Sequence, residues 1–488
     1  MTGGSATVTL SLAAHTNVGK TTLARTLLGR DIGEVRDEAH VTVLAERHTM
    51  VEAPDGARLE LWDTPGFGDS VRLGKRLALV GHPLGWLLSE VWDRFRDRAF
   101  WSNQHAVRNV LDHADVVLYL VNAAETPEDV GYLDAELHVL DLAGKPVLVL
   151  LNQLGQPRPG AQAEAEVQRW RDRCARAHCV REVLALDAFA RCWVQEGLLL
   201  RSVAAALPAS KLSTFGALEA AWHARQHATW QAAMGVLSDR LARAALDREA
   251  LGASGLASRL KDWGAALGLR RDHVSSTDRA MDALAERLDG DIRASTDRLI
   301  ALHGLEGRAG AQVLARLAEH YAARKPLDEG KAAVWGGVVS GALLGLKADI
   351  ASGGLTLGGG LLAGGVLGAL GALGVAKGVN KVRGIEEASV AWSERVLDEL
   401  ARSALLGYLA VIHYGRGRGA WVAGEHPAFW AAEVDAVMAR HTDALHTLWA
   451  LRSADAGTLT EALHAWLRTA SEDLLRALYP ASTAFDRR

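Results

Sequence analysis

Ala13-Ala14-His15-Thr16-Asn17-Val18-Gly19-Lys20-Thr21-Thr22 decides how the N-terminal part of the chain folds. An apolar, β-branched run, residues 7–12, precedes it, and a helical pattern (Leu23, Leu27, Leu28) follows it. Strand, glycine-containing loop and helix in that order form the context of a phosphate-binding loop. In such a loop the backbone N–H groups wrap a phosphate, and the N-terminus of the next helix adds a favourable dipole. The expected nucleotide-binding residues here are His15, Thr16, Asn17, Val18, Gly19, Lys20, Thr21 and Thr22. Lys20 would reach the β- and γ-phosphates, and the Thr21 hydroxyl would ligate Mg²⁺. One position departs from the usual pattern, because Ala14 stands where the loop's first glycine is expected. A left-handed φ there would cost alanine more than glycine.

A Gly-Lys-Thr triplet alone is weak evidence for nucleotide binding. The second element strengthens it. Leu59-Glu60-Leu61-Trp62-Asp63-Thr64-Pro65-Gly66 alternates like a strand and ends in Asp-Thr-Pro-Gly. Asp63 at the end of that strand would hold Mg²⁺ through water, and the Gly66 N–H would meet the γ-phosphate. Between the two motifs, residues 31–50 form the expected first switch, with Thr42 as the threonine that closes on Mg²⁺ and the γ-phosphate. Lys20, Thr42 and Gly66 are therefore the expected catalytic set, and Thr21, Thr42 and Asp63 the Mg²⁺ set. The second switch opens at Gly66-Phe67-Gly68-Asp69. Phe67 takes the place of a water-orienting glutamine, so hydrolysis needs a group from elsewhere.

Outward from these motifs, residues up to about 205 alternate between β and α, which predicts a doubly wound, mostly parallel sheet. Strands are expected at 6–12, 47–53, 58–62, 116–122, 147–151 and 182–186, with a hairpin turn at Pro54-Asp55-Gly56. Between the second switch and His113 runs a segment rich in Trp86, Trp92, Phe95, Phe100 and Trp101. There Leu87, Val91, Phe95 and Arg98 fall at helical spacing. Asn152-Gln153-Leu154-Gly155 occupies the place of the base-reading motif Asn-Lys-x-Asp. Asn152 and Gln153 are the expected base contacts, but Gly155 replaces the carboxylate that pairs with guanine, which loosens the basis for base selectivity.

These residues resemble the Era/TrmE-like branch of translation-factor-type GTPases. More closely, they resemble bacterial GTPases whose C-terminal half is a domain of unknown function. The resemblance implies an α/β P-loop GTPase domain followed by a large helical region, GTP and GDP as ligands, and Mg²⁺ as cofactor. It also implies that Asn17 with a hydrophobic residue at Phe67 accompanies potassium-stimulated hydrolysis, K⁺ being held near Asn17. Asn-Gln-Leu-Gly then reads as a family trait.

The chain has 488 residues, 49% of them hydrophobic, enough for two or three domains. A net charge of −4 gives no nucleic-acid footprint, and no nucleic-acid partner is expected. Three cysteines, Cys174, Cys179 and Cys192, argue against a disulfide framework and for reduced structural thiols. The first residues show no signal-peptide pattern, so the nucleotide domain is expected in the cytoplasm.

Helices are expected at 215–245, 256–267, 275–302 and 309–324. Composition then shifts. Residues 332–346 and 350–376 carry no charge, and glycines recur every four residues at Gly337, Gly341, Gly345 and at Gly360, Gly364, Gly368. As helices these arms would span ~22 Å and ~40 Å, against a hydrocarbon core of ~30 Å. Four-residue glycine spacing lets helices approach closely in lipid. Arg324, Lys325 and Lys331 lie before the pair, and Lys377, Lys381 and Arg383 after it. Positive charge on both sides predicts a hairpin with both ends cytoplasmic, peripheral to or inserted in the inner membrane. The expected organisation is a GTPase domain at 1–205, a helical domain at 206–331, a glycine-rich apolar hairpin at 332–383, and a helical region at 384–488 packing with the second segment. Two functions compete. One is a membrane-associated GTPase, a nucleotide-dependent switch or dynamin-like remodeller, with lipid and either a second copy or a membrane protein as partners. The other is a soluble regulatory NTPase or scaffold with the glycine-rich segment buried.

Overall fold

The computed structural model describes residues 6–29, 32, 45–77, 79, 81–89, 97–154, 160–186, 192–250, 276–305, 375–382, 385–413, 429–453 and 455–485. Thr42, Gly155 and residues 332–374 lie outside them, as do the helices expected at 256–267 and 309–324. The chain divides into two units. One comprises Met1–Ala228, Ile412–Trp430 and Tyr479–Arg488, the other Thr229–Val411 and Ala431–Leu478.

The first unit holds a six-stranded sheet in the order β2-β3-β1-β4-β5-β6. Its strands are β1 (Thr7–Ala14), β2 (Glu46–Glu52), β3 (Arg58–Asp63), β4 (Val116–Asn122), β5 (Val147–Asn152) and β6 (Val180–Ala185). Only β2, at the edge, runs antiparallel. β5 is buried along its whole length and β4 along all but its last residue, Asn122, as befits central parallel strands covered on both faces. β3 alternates buried and accessible residues, which fits its place next to the edge. The β2–β3 turn forms where Gly56 supplies φ +84 and the Asp55 carboxylate accepts from Ala57 N at 3.0 Å. Register then fixes the site. Leu12 pairs with Asp63, and Asn122 with Asn152, so the C-terminal strand ends collect at one edge.

Among the described residues, the helices up to residue 206 of this unit are α1 (Lys20–Leu28), α2 (Ser70–Leu77), α3 (Pro83–Ser89), α4 (Arg98–His113), α5 (Leu133–Ala143), α6 (Gly160–Cys174) and α7 (Trp193–Ala206). The helical spacing across Leu87, Val91, Phe95 and Arg98 does not correspond to one continuous helix. Asp97 has φ −139 and ψ 67, outside the helical region, and its carboxylate accepts from Phe100 N at 3.4 Å. Asp97 therefore caps a new helix. All three cysteines are buried and free, and burial pushes the thiols of Cys174 and Cys179 up to about 11 and about 12.

Helix α8 (Ala209–Leu246) contributes to both units. The second contains α9 (Ser276–Leu302), α10 (Glu394–Ile412), α11 (Phe429–Ala450) and α12 (Ala456–Leu478). Its core includes Trp230, Leu241, Leu284, Leu405, Val437, Trp449 and Leu467. Trp449 and Trp466 are core residues that each donate an indole hydrogen bond, to Asp398 and to the His441 carbonyl. This unit is not all-α. β7 (Arg248–Ala250), β8 (Val375–Val382) and β9 (Ile385–Trp392) form an antiparallel sheet in the order β7-β9-β8. Residues 375–382 fall within the helical hairpin expected at 332–383, yet β8 is hydrogen-bonded to β9 along its full length. Among the described residues no helix is long and apolar enough to cross a membrane.

Candidate nucleotide site

β1 delivers the loop His15–Gly19 to the C-terminal edge of the sheet, and α1 starts at Lys20. Two left-handed residues shape the loop, Asn17 at φ +66 and Gly19 at φ +93. Asn tolerates that region better than most side chains. The exposed Asn17 therefore has a backbone reason for its identity, independent of any cation. Ala14 is not left-handed. It is the last residue of β1, fully buried, and its carbonyl accepts from Phe67 N at 2.8 Å. The strain expected at this position does not arise, because the strand runs two residues beyond its expected end at Leu12.

Gly19 owes its identity to more than φ. A Cβ there would lie 2.8 Å from Asn152 Nδ2. Asn152 is itself buried, with that amide donating to the Val18 carbonyl at 2.7 Å. The expected base-motif residue thus braces the phosphate loop. Gln153 follows it with φ +58.

At the loop's end Lys20 is buried, as is Thr22 two residues on. Burial lowers the Lys20 pKa, opposed by the nearby charges of Asp63 and Glu136. Asp63 is buried too, and burial raises its pKa against the pull of Lys20 and the Thr21 hydrogen bond. The Thr21 hydroxyl donates to Asp63 Oδ2 at 2.6 Å. The other carboxylate oxygen, Oδ1, is buried without a hydrogen-bond partner. An orphaned carboxylate oxygen beside a threonine hydroxyl is a hard-oxygen donor set, which fits Mg²⁺.

Gly66 packs onto this assembly. A Cβ at Gly66 would lie 3.2 Å from Lys20 Nζ and 3.2 Å from Thr16 Cα. Phe67 next to it is fully buried in the core and bonded through its backbone to Ala14 and Thr16. Its ring is thus committed to packing. The following Gly68 is held at both backbone groups by the buried Asn103 amide, at 2.8 and 3.0 Å.

The structure therefore gathers Lys20, Thr21, Asp63, Gly66 and the loop residues His15–Gly19 at one place, with Asn152 touching it. Residues the sequence reading passed over join them: Asn103, Ser70, Tyr119 and Glu136. Glu136 sits on the same helix face as Leu133, Leu137 and Leu140. A charge on an apolar stripe was the signal that could have found it.

Residues 9–153 match the family of 50S ribosome-binding GTPases. The N-terminal unit carries a P-loop GTPase domain. Solved structures similar to the chain include Era in complex with MgGDPNP and a segment of 16S ribosomal RNA. It shares 17% identity over 42% of this chain and 58% of that one, with a TM-score of 0.31. A variant of S. thermophilus NFeoB bound to GMPPNP shares 15% identity, covering 61% and 97%, with a TM-score of 0.26. An oligomerised bacterial dynamin pair described as sensing and tethering membranes shares 10%, covering 97% and 72%, with a TM-score of 0.25. The chain thus spans less than two thirds of the Era structure it matches. No curated protein matches the chain. The GTPase domain has an Mg²⁺-compatible oxygen pair, a buried lysine and a backbone loop in the arrangement that phosphate binding needs.

Proposed function

We propose that the chain binds GTP and hydrolyses it slowly, acting as a membrane-associated, nucleotide-dependent switch or dynamin-like remodeller. The observation that carries the GTPase part is the burial of Lys20 and Asp63 beside Gly66, with the Thr21 hydroxyl bonded to Asp63 Oδ2 and Asp63 Oδ1 unpartnered. Lys20 would pair the β- and γ-phosphates, the loop N–H groups would wrap them, and the Gly66 N–H would report the γ-phosphate. Thr21 and Asp63, joined by Thr42, would hold Mg²⁺. When bound, the ion offsets negative charge on the phosphates. Asn152 and Gln153 would border the base.

Slow turnover follows from Phe67. Its ring is fully buried and offers no polar atom to an attacking water. Activation would come from K⁺ near Asn17, or from self-association. Phosphate release by dilute full chain is therefore expected to rise several-fold when Na⁺ is exchanged for K⁺ at constant ionic strength. Fast turnover in Na⁺ alone, unchanged by K⁺, would contradict this reading.

The membrane part rests on the sequence of 332–376, on its two uncharged runs and the basic residues flanking them. The reading places the domain organisation 1–205, 206–331, 332–383 and 384–488 on the cytoplasmic face of the inner membrane, with a second copy or a membrane protein as further partner. In a bilayer, a helical hairpin satisfies its backbone groups internally. Full chain should float with liposomes in a density gradient, and a chain lacking 332–376 should stay at the bottom. Equal flotation of both, or none of either with monodisperse detergent-free protein, favours the soluble alternative.

A further inference from the structure

Helix α5 buries Glu136 completely. A carboxylate so placed is costly unless donors satisfy it. Three donors converge here. His15 Nδ1 lies 2.7 Å from Oε1, Ser70 Oγ donates to the same oxygen, and Tyr119 OH donates to Oε2 at 2.8 Å. They come from the phosphate loop, the first residue of α2 and the middle of β4. His15 also lies 3.2 Å from Ser70 Oγ and stacks on Tyr132, with ring centroids 4.3 Å apart and planes 7° apart. Between Gly66 and Ser70 the second switch is thus pinned at Phe67 by loop backbone, at Gly68 by Asn103 and at Ser70 by Glu136. Glu136 is the one charged anchor of the three. Its field also supports the Lys20 ammonium against burial.

We propose that Glu136 is a positioning residue for hydrolysis. Its carboxylate ties the phosphate loop, through His15, to the start of the second switch, through Ser70, and so sets where residues 66–69 stand relative to Lys20. The proposal rests on the GTPase reading above. Groups fixed in advance matter most in the transition state, and a misplacement of about 1 Å costs about 100-fold. GDP lacks the γ-phosphate that residues 66–69 would meet, so ground-state affinity for GDP should change little.

The test uses full-length chain with three changes: Glu136→Gln, which keeps shape and volume, Ser70→Ala, and the two combined. Labelled GDP gives affinity, and GTP turnover gives kcat and KM. In Glu136→Gln, kcat should fall roughly 10- to 100-fold, while KM and GDP affinity shift by no more than about threefold. Ser70→Ala should show a smaller loss with the same split. The double variant should be no slower than Glu136→Gln, because Ser70 acts through the carboxylate. Should Glu136→Gln fail to fold, the split in Ser70→Ala decides. Unchanged kcat in the single variants, with normal wild-type turnover, overturns the proposal and leaves the GTPase reading intact. Parallel losses of GDP affinity, melting temperature and kcat overturn it as well, in favour of a purely structural role. Wild-type protein that neither binds nor turns over GTP overturns the GTPase reading itself.

Discussion

Lys20→Ala is expected to weaken GTP binding by roughly 30- to several-thousand-fold, the range for truncating one partner of a desolvated charge pair (about 2–5 kcal/mol). The lysine is buried at the start of α1, so its contact with phosphate would be made out of bulk water. Charged groups interact more strongly there than at an exposed site. Without nucleotide the same burial works the other way. Desolvation lowers the Lys20 pKa, and only Asp63 and Glu136 among its neighbours oppose it. Removing the ammonium relieves that cost in the empty protein, so the variant should fold and melt near the wild-type temperature. Titration of labelled GTP into correctly folded Lys20→Ala checks both halves. Wild-type affinity would mean that phosphate binds elsewhere.

Gly19→Ala should be the second severe change, and for two reasons that add. A left-handed φ costs an L-residue about 1–2 kcal/mol. A Cβ at Gly19 would also stand 2.8 Å from Asn152 Nδ2, which must move and release the Val18 carbonyl. A buried hydrogen bond broken in this way costs about 1–3 kcal/mol more. Together these should lower the melting temperature by roughly 5–15 °C and reduce GTP affinity, since Val18 and Gly19 belong to the loop that wraps phosphate. Gly29→Ala is the control. Gly29 also has a positive φ, +63, but nothing stands within 4 Å of a Cβ there. It should lose stability through φ alone and keep its nucleotide affinity. Equal losses in the two variants would show that the contact with Asn152 contributes nothing.

Much of the nucleotide domain was legible in the sequence, because its signals are local and strong. Val116–Asn122 was read with the observed limits, and the other five strands within two residues at each end. Parallel strands covered on both faces read as unbroken apolar runs, and Pro54-Asp55-Gly56 punctuates the hairpin. The motif residues Lys20, Thr21 and Asp63 converge because register pairs Leu12 with Asp63. Legibility failed where a single polar residue interrupts a pattern defined by apolar ones. Glu136 falls within an apolar stripe, so counting apolar positions passes over it. Asp97 ends one helical pattern and starts another, a capping signal that the aromatic residues around it obscured. β8 was read as the end of the apolar hairpin at 332–383, and the sheet that contains it depends on β9 and β7, the latter more than a hundred residues earlier. Pairing at that separation leaves no local trace.

The central claim is that this chain hydrolyses GTP at the Lys20–Asp63 site. Phosphate release from GTP by full-length protein, wild type beside Lys20→Ala, in Mg²⁺ and K⁺, tests it most directly. The account predicts slow release by the wild type that saturates with GTP and disappears in the variant. Release that is equal in both proteins, or absent from wild-type protein that also fails to bind GTP, would contradict it.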